Sequence, residues 1–315
     1  MLSAAQTASF ERQGFLVLED VVPSELRARI AEEYQALLNS LYAAWAKQGL
    51  LPAPDDTMDF SQKLRCAYDA GCDWFQTMDI SLPGDIIHAD TPMHFGPAVF
   101  DLVTCPQILD VVQSLIGPEI TSNPIQHLRI KPPAPALKDD EIRAHITQTD
   151  WHQDRGVGHE DADTTDMITV WIAMTDATPE NGCLQVIPKA HDQMLPHCPK
   201  TQTAIADDFI DAARARPLPV RAGGILLLHP LIPHASLPNG TDNFRWSFDL
   251  RYNVTGQPTG RAHFPEFVAR STDDPGAVLT DWRLWRQMWH DARNTLARQP
   301  HIPIHRWQSD APFCA

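Results

Sequence analysis

The residues best suited to chemistry are histidines that are followed two positions later by an aspartate. The pattern occurs three times, as His88-Ala89-Asp90, His152-Gln153-Asp154 and His159-Glu160-Asp161. In a β-strand, residues two positions apart point to the same face, so such a pair can offer an imidazole and a carboxylate to one metal ion. A second histidine from elsewhere would complete a two-histidine, one-carboxylate set, which leaves coordination positions open on Fe(II).

The surroundings of the three pairs differ. His159 lies in the polar, acidic run GHEDADTTD, which does not suit a buried strand, and His88 follows Pro83-Gly84, which is typical of a loop. The pair at residues 152–154 follows apolar residues that can pack, and the strongest β-branched run of the chain begins shortly after it. We therefore predict that His152 and Asp154 are the metal ligands.

The remaining ligand should come from a strand far downstream. Two histidines qualify, His229 and His234, and both lie in the segment ILLLHPLIPHASLPNG. With Fe(II), such a set supports oxygen chemistry, whereas with Zn(II) or Mn(II) it would suit a cupin-like hydrolase or isomerase. A jelly-roll module that binds a ligand without catalysis is the non-enzyme alternative.

The elements that must position these residues change character near residue 118. Apolar side chains recur at three- and four-residue steps from Leu26 to Trp45, and shorter stretches around Tyr68 and Ile108 have the same spacing. This spacing predicts amphipathic helices that pack against a core. Residues 1–118 are therefore expected to be largely helical.

From residue 119 onwards, short apolar segments alternate with glycine, proline and asparagine. The predicted strands span residues 125–130, 167–174, 183–187, 225–228 and 244–252. Short strands with such boundaries favour a sandwich or barrel over a parallel α/β sheet. No linker or repeat interrupts the chain, so we predict one domain over 1–315, with a β core at 119–255 and a helical extension at 256–315.

The C-terminal extension contains three tryptophans on one predicted helical face, namely Trp282, Trp285 and Trp289. Residues spaced by three and four positions meet on the same side of a helix. The stripe therefore fits a docking surface, including one that forms a homodimer, or a contact with the core of the same chain.

The charge balance restricts the choice of partner. Forty acidic residues against 25 basic ones give a formal charge of −15. Nucleic acids and anionic membranes are bound largely through Lys and Arg, so neither is expected, and a small-molecule substrate is favoured. No stretch approaches the roughly 18 apolar residues of a membrane helix, and the N-terminus does not have the pattern of a secretory signal.

The six cysteines contain no CxxC pair and no dense framework. We therefore expect reduced thiols and a cytoplasmic protein.

Three segments in order resemble the phytanoyl-CoA dioxygenase family of iron(II)- and 2-oxoglutarate-dependent oxygenases. They are WHQD at 151–154, WIAMTDATPENGCLQVIPKAH at 171–191 and HASLPNGTDNFR at 234–245. The resemblance covers roughly residues 120–255. One departure is Lys189-Ala190-His191, where the family usually has Gly-Ser-His; we expect this turn to lie away from the metal. The expected fold is a double-stranded β-helix (a cupin-like jelly roll) with flanking helices.

The resemblance also implies roles for individual residues. It makes His234 the distal iron ligand, which leaves His229 a structural role. Arg245, eleven residues after His234, would hold the far carboxylate of 2-oxoglutarate through its planar fork, and Ser236 would donate to the same carboxylate. We add His127 to the cofactor-binding residues, because it precedes the Lys-Pro-Pro segment that leads towards the metal ligands.

The implied reaction uses Fe(2+), O2 and 2-oxoglutarate, with ascorbate as a candidate reductant. 2-Oxoglutarate would be converted to succinate and CO2 while a C–H bond of a small-molecule metabolite is hydroxylated. Related halogenases replace the carboxylate ligand with a small residue, so the presence of Asp154 favours hydroxylation, or a desaturation or ring-forming variant of it. The sequence does not identify the substrate; its candidate lining residues are Trp74, His94, His127, Arg129, Trp151 and Arg251.

Overall fold

The structure is a computed structural model that describes residues 1–55, 57–134, 146–199 and 202–314. The α-helices are α1 (Ala4–Gln13), α2 (Ser24–Lys47), α3 (Phe60–Asp69), α4 (Trp74–Met78), α5 (Pro97–Val103), α6 (Pro106–Ile116) and α7 (Trp282–Leu296). The strands are β1 (Phe15–Leu18), β2 (Ile120–Lys131), β3 (Met167–Ala173), β4 (Leu184–Val186), β5 (His197–Pro199), β6 (Thr203–Ile205), β7 (Arg216–Leu218), β8 (Ile225–Leu228), β9 (His234–Ser236), β10 (Arg245–Val254) and β11 (Phe267–Arg270).

The strands form two facing antiparallel sheets and a separate hairpin. The large sheet has the order β1-β8-β3-β10-β2-β11, the small sheet has the order β7-β4-β9, and β5 pairs with β6. Apolar residues of both sheets, including Trp171, Leu184 and Leu226, form one buried cluster between them. This arrangement confirms the predicted jelly-roll type of β core with helices around it.

The large sheet is apolar on one face and polar on the other, and strand β10 shows this most clearly. The β10 residues that pack into the larger core cluster are Trp246, Phe248, Leu250 and Tyr252. The intervening positions carry the polar side chains of Arg245, Ser247, Asp249 and Arg251, three of which line a cavity between the two sheets. Because side chains alternate along a strand, one segment serves both the core and the cavity.

Helix α2 covers the apolar face of the large sheet. Its buried residues recur at the predicted spacing and are Leu26, Ile30, Tyr34, Leu38, Tyr42 and Trp45. The ring of Tyr34 meets those of Trp246 and Phe248 edge-on at 5.3 and 6.0 Å, a favourable geometry for aromatic pairs. The helical predictions for this part of the chain are confirmed, although β1 from the same part joins the edge of the large sheet.

Residues 97–116 have the length and mean hydropathy of a membrane span. In the structure they form two helices, α5 and α6, that meet at Thr104 and Cys105, and both contribute buried residues to the larger core cluster. Their apolar character is explained by this packing.

The tryptophan stripe of α7 is mainly a core contact. Trp285 and Trp289 are fully buried, and both rings pack against Phe95 with centroid distances of 4.7 and 5.0 Å. Trp282 is only partly buried. Of the two readings of this stripe, the structure supports the contact within the chain.

The prediction that all six cysteines are reduced is wrong. Cys198 and Cys314 form a disulfide that joins positions 116 residues apart, and their Cα atoms are 5.4 Å from each other. The other four cysteines are free thiols. The pairing could not be read from spacing, because the fold alone brings the end of the chain to strand β5.

Two strand boundaries also differ from those expected. Strand β2 begins at Ile120 instead of residue 125, because its polar residues Thr121 and Ser122 are paired on both sides, by β10 and by β11. Strand β11 lies at Phe267–Arg270, so the large sheet takes strands from both sides of the predicted core range 119–255.

Candidate metal centre

The three predicted metal ligands meet at one end of the cavity between the sheets. His152, Asp154 and His234 are each at least nine-tenths buried, and their ligand atoms all lie within 4.8 Å of one another. The Nε2 atoms of the two histidines are 3.8 and 3.9 Å from Oδ1 of Asp154. Among the described residues this is the group of histidine, cysteine and acidic side chains that could hold a metal ion.

The backbone that carries the ligands is less regular than expected. His152 forms a single antiparallel bridge with His234, which begins β9, and the two residues exchange backbone hydrogen bonds of 2.9 and 3.0 Å. Asp154 then opens a short 3-10 helix that extends to Val157. The expectation of a His-x-Asp pair on one strand is therefore wrong for Asp154: the chain turns there, and the turn aims the carboxylate at the two imidazoles.

Both imidazoles are oriented by the main chain. Nδ1 of His152 lies 2.8 Å from the carbonyl oxygen of Asp150, and Nδ1 of His234 lies 3.0 Å from that of Ile232. A carbonyl oxygen only accepts, so each Nδ1 carries a proton, and Nε2 is the ring atom that each histidine can offer to a metal ion. Such hydrogen bonds fix ring orientation in metal sites, and the three residues therefore fit a metal ion.

The charges at the centre favour the forms that bind metal. Burial, together with the neighbouring imidazole of His234, holds the pKa of His152 well below its usual range, so this ligand is neutral. Burial acts to raise the pKa of Asp154, but the guanidinium of Arg251 and the two imidazoles lower it by more. The pKa is therefore below its usual range and the carboxylate is ionised. Arg251 donates to Oδ1 of Asp154, and the Thr169 hydroxyl donates to Oδ2 at 2.5 Å.

Arg245 and Ser236 line another part of the same cavity, and Ser247 and Lys131 are buried beside them. Arg245 is buried, and its guanidinium lies 5.3 Å from the centre of the Trp171 ring and donates to the Ser247 hydroxyl at 2.6 Å. Lys131 faces Arg245 directly across β2 and β10, and its Nζ donates to the hydroxyl of Ser236 at 2.6 Å. That hydroxyl also accepts from the backbone, so its own proton remains available to a ligand.

These two cations have no carboxylate partner among the described residues. Burial, reinforced by Arg245, lowers the pKa of Lys131, and burial lowers the pKa of Arg245 to about 10. Nε of Arg245 is buried and has no hydrogen-bond acceptor in the described part of the chain. Buried charges are normally paired, so this end of the cavity is complementary to an anion.

The structure thus brings Arg245 and Ser236 to the cavity that holds the metal ligands, whereas His127 is placed differently. His127 lies opposite Asp249 on β2, but its Nδ1 contacts Asp79 at 2.9 Å, and it does not line the cavity. Its assignment as a cofactor-binding residue stays a prediction. Lys131 was missed, because the Lys-Pro-Pro run was interpreted as a strand breaker although Lys131 is the last residue of β2.

The other histidines singled out earlier lie elsewhere. His88 lies in a turn, where its backbone N–H donates to the hydroxyl of Thr91. Nε2 of His159 contacts the carbonyl oxygen of Pro303. His229 packs beside His191, and burial with that neighbour lowers its pKa to about 4.

Two of the candidate lining residues, Arg129 and Arg251, do line the cavity. Trp74 is instead buried in the helical core, and His94 pairs with Glu33. Trp151, like His127, does not line it.

Comparison with known protein families supports the assignment of this site. The sequence profile of the family described as Phytanoyl-CoA dioxygenase (PhyH) matches residues 10–247, which is well over half of the 315 residues. This chain belongs to the phytanoyl-CoA dioxygenase family. The matched range contains the three metal ligands, Ser236 and Arg245. The chain is accordingly a non-haem oxygenase that uses iron and 2-oxoglutarate.

Individual relatives are distant or match only in part. A probable phytanoyl-CoA dioxygenase of Caenorhabditis elegans is 24% identical over 311 residues, which cover 91% of each chain. Methylphosphonate hydroxylase of Gimesia maris is 35% identical over 103 residues, 31% of this chain, and the chain spans only 39% of that protein's length. The solved structure of the non-heme monooxygenase ThoJ shares the fold, with a TM-score of 0.59, 22% identity and coverage of 93% of this chain and 97% of that one.

Proposed function

We propose that this protein hydroxylates a C–H bond of a small-molecule metabolite, with conversion of 2-oxoglutarate to succinate and CO2. The observation that carries the proposal is a single cavity with two matched ends. One end presents two imidazoles and a carboxylate. The other presents the guanidinium of Arg245, with the ammonium of Lys131 held beside it on Ser236, and neither cation has a carboxylate partner among the described residues. A dicarboxylic 2-oxo acid can satisfy both ends at once.

The residues of the metal end hold and orient the reaction centre. An iron ion bound there would activate O2 and allow removal of a hydrogen atom from the substrate. His152, His234 and Asp154 would hold that ion, and the hydrogen bonds from Nδ1 to backbone carbonyls keep both rings aimed at it. Arg251 and Thr169 occupy lone pairs on both oxygens of Asp154, which restrains the carboxylate.

The residues of the cationic end orient the cosubstrate. The fork of Arg245 suits a carboxylate, Lys131 adds a second charge, and the free proton of Ser236 adds a donor. Trp171 lies directly opposite Asp249 on the neighbouring strand and covers Arg245, so its ring excludes water from this end. Exclusion of water strengthens each of these interactions.

One side chain bears on the substrate. Asp249 accepts from Arg129 at 2.5 Å through Oδ2, but its Oδ1 is buried without a donor among the residues that the structure describes. The 2-oxoglutarate dianion has no donor to offer, so we infer that the substrate carries a hydroxyl or ammonium group. A small-molecule substrate is also what the name of the methylphosphonate hydroxylase relative indicates for that protein.

The single domain over 1–315 and the cytoplasmic location remain proposals as well.

The test is a product analysis. Purified protein with Fe(II), ascorbate and 2-oxoglutarate would be incubated with metabolite pools under 18-oxygen gas in high chloride. We expect release of succinate and a product that is heavier by one oxygen. His152→Ala is the matched control and should release no succinate above background.

Two results would contradict the proposal. A chlorine isotope pattern in the wild-type product would show that Asp154 does not determine the outcome. Turnover without consumption of 2-oxoglutarate would instead favour the hydrolase or isomerase alternative.

A further inference from the structure

The C-terminal segment from Arg306 to Cys314, here called the strap, lies on the loop that carries two of the metal ligands. Arg306 donates to the carbonyl oxygens of Arg155 at 2.8 Å and Gly158 at 3.2 Å. Nε1 of Trp307 donates to the carbonyl oxygen of Gly156 at 2.6 Å. These three carbonyls immediately follow Asp154, so the strap restrains the turn that aims this ligand.

A buried histidine connects the strap to the residue between the ligands. The ring of His197 stacks on that of Trp307, with centroids 5.1 Å apart and planes 24° apart. Its Nδ1 contacts the carbonyl oxygen of Leu195 at 2.8 Å and therefore carries the proton, which leaves Nε2 to accept from the backbone N–H of Gln153 at 3.0 Å. A Cβ on Gly156 would lie 2.4 Å from the same ring, so the loop and His197 are closely packed.

The disulfide closes this arrangement. Cys198 directly follows His197, and its partner Cys314 lies at the far end of the strap. The bond therefore ties both sides of the Trp307–His197 stack to each other. Without it, the strap would be held by its hydrogen bonds and by the pair between Arg306 and Asp163, which is partly exposed and contributes little.

We propose that the strap positions the metal ligands and that the Cys198–Cys314 disulfide latches it, so that the thiol redox state of this pair sets the affinity for metal. The inference rests on the metal centre assigned above. In the reducing step, a dithiol donates two electrons and two protons, the S–S bond breaks, and the protein gains two thiols while the dithiol becomes a disulfide. His197 and Trp307 act through the loop and are positioning residues.

The expected size of the effect follows from the position of these contacts. Partners that orient metal ligands typically change metal affinity by about 10–100-fold when they are removed. Release of the latch loosens the strap but leaves His152 and His234 bridged to each other, so we expect the lower end, roughly tenfold weaker binding.

The test measures metal affinity directly. Co(II) would be titrated into oxidised protein and into protein that was reduced with dithiothreitol and desalted under argon, with calorimetry and the visible Co(II) bands as readouts. We expect reduction to weaken binding roughly tenfold and to change the Co(II) bands. Cys314→Ser should behave as reduced protein and no longer respond to reductant, whereas Cys66→Ser should respond like wild type, because Cys66 is a free thiol.

Two further variants separate positioning from general stability. Trp307→Phe keeps a ring on His197 but removes the donor to Gly156, so it should bind Co(II) more tightly than Trp307→Ala when both are oxidised. Equal affinity and unchanged bands in oxidised and reduced wild type would overturn the latch while leaving the metal centre intact. Absence of Co(II) binding in oxidised wild type would instead refute the metal centre itself.

Discussion

Arg245 gives the most direct test of how the cavity holds its cosubstrate. We predict that Arg245→Ala weakens 2-oxoglutarate binding, because it removes a buried guanidinium that has no carboxylate partner within the described part of the chain. Truncation of one member of a buried charge pair typically costs about 2–5 kcal/mol. The neighbouring Lys131 remains in this variant and still offers a positive charge, so the lower part of that range applies.

A cost of about 2–3 kcal/mol corresponds to a loss of affinity of roughly 30–150-fold, since each factor of ten is about 1.4 kcal/mol. Arg245→Lys should recover only part of this, because an ammonium cannot form the two parallel bonds of the fork. The double variant with Lys131→Met should fall well below Arg245→Ala, because both cations are then gone.

The assay is calorimetric titration of 2-oxoglutarate into protein loaded with Co(II), which reports binding without turnover. Arg270→Ala is a suitable control, because Arg270 pairs with Asp110 near the surface and lies outside the cavity. An unchanged dissociation constant in Arg245→Ala would refute the reasoning and transfer the role to another arginine of the cavity, with Arg251 the first to examine.

Three further outcomes can be checked. His152→Ala should lose stoichiometric Fe(II), measured by metal analysis after desalting, while His88→Ala and His159→Ala should retain it; the opposite pattern would refute the ligand assignment. The free energy of unfolding should fall as the pH decreases from about 6.5 towards 4. Burial lowers the pKa of His197 to about 4, so in this range the imidazole takes up a proton only when the chain unfolds. Urea unfolding curves across the range measure this, and a free energy that does not change with pH would contradict it. Lys189 has a φ of 59°, which is the left-handed region. This backbone conformation costs a non-glycine residue about 1–2 kcal/mol, whereas glycine in an ordered segment costs about 0.5–1 kcal/mol, so Lys189→Gly should raise the free energy of unfolding by roughly 0.5 kcal/mol. A lower melting temperature in this variant would contradict backbone strain at Lys189.

The sequence was sufficient for the features that rest on local pattern. The stripe of α2 and the apolar strands are visible because burial imposes a period of 3.6 or 2 on a contiguous segment. His152 and Asp154 could be chosen because their neighbours can pack, and His234 because the family motif orders it before Arg245.

The remaining features depend on pairings that no local pattern reports. Lys131 belongs to the anion end only because β2 and β10 place it opposite Arg245. Cys198 and Cys314 are 116 residues apart in the sequence, so the spacing of the cysteines does not predict that they form a disulfide. The turn at Asp154 was missed for a similar reason, since its geometry is set by the C-terminal strap.

The alternation along β10 has a consequence for how such a protein can evolve. Substitutions at Asp249 alter the cavity without touching Phe248 or Leu250, which belong to the core. Substrate preference can therefore drift by single replacements at odd-numbered positions while the folding cooperativity is preserved. A one-residue insertion in the same strand would exchange the two faces, and both the packing of the core and the lining of the cavity would be lost. Selection should therefore tolerate point changes on β10 and reject changes in its length.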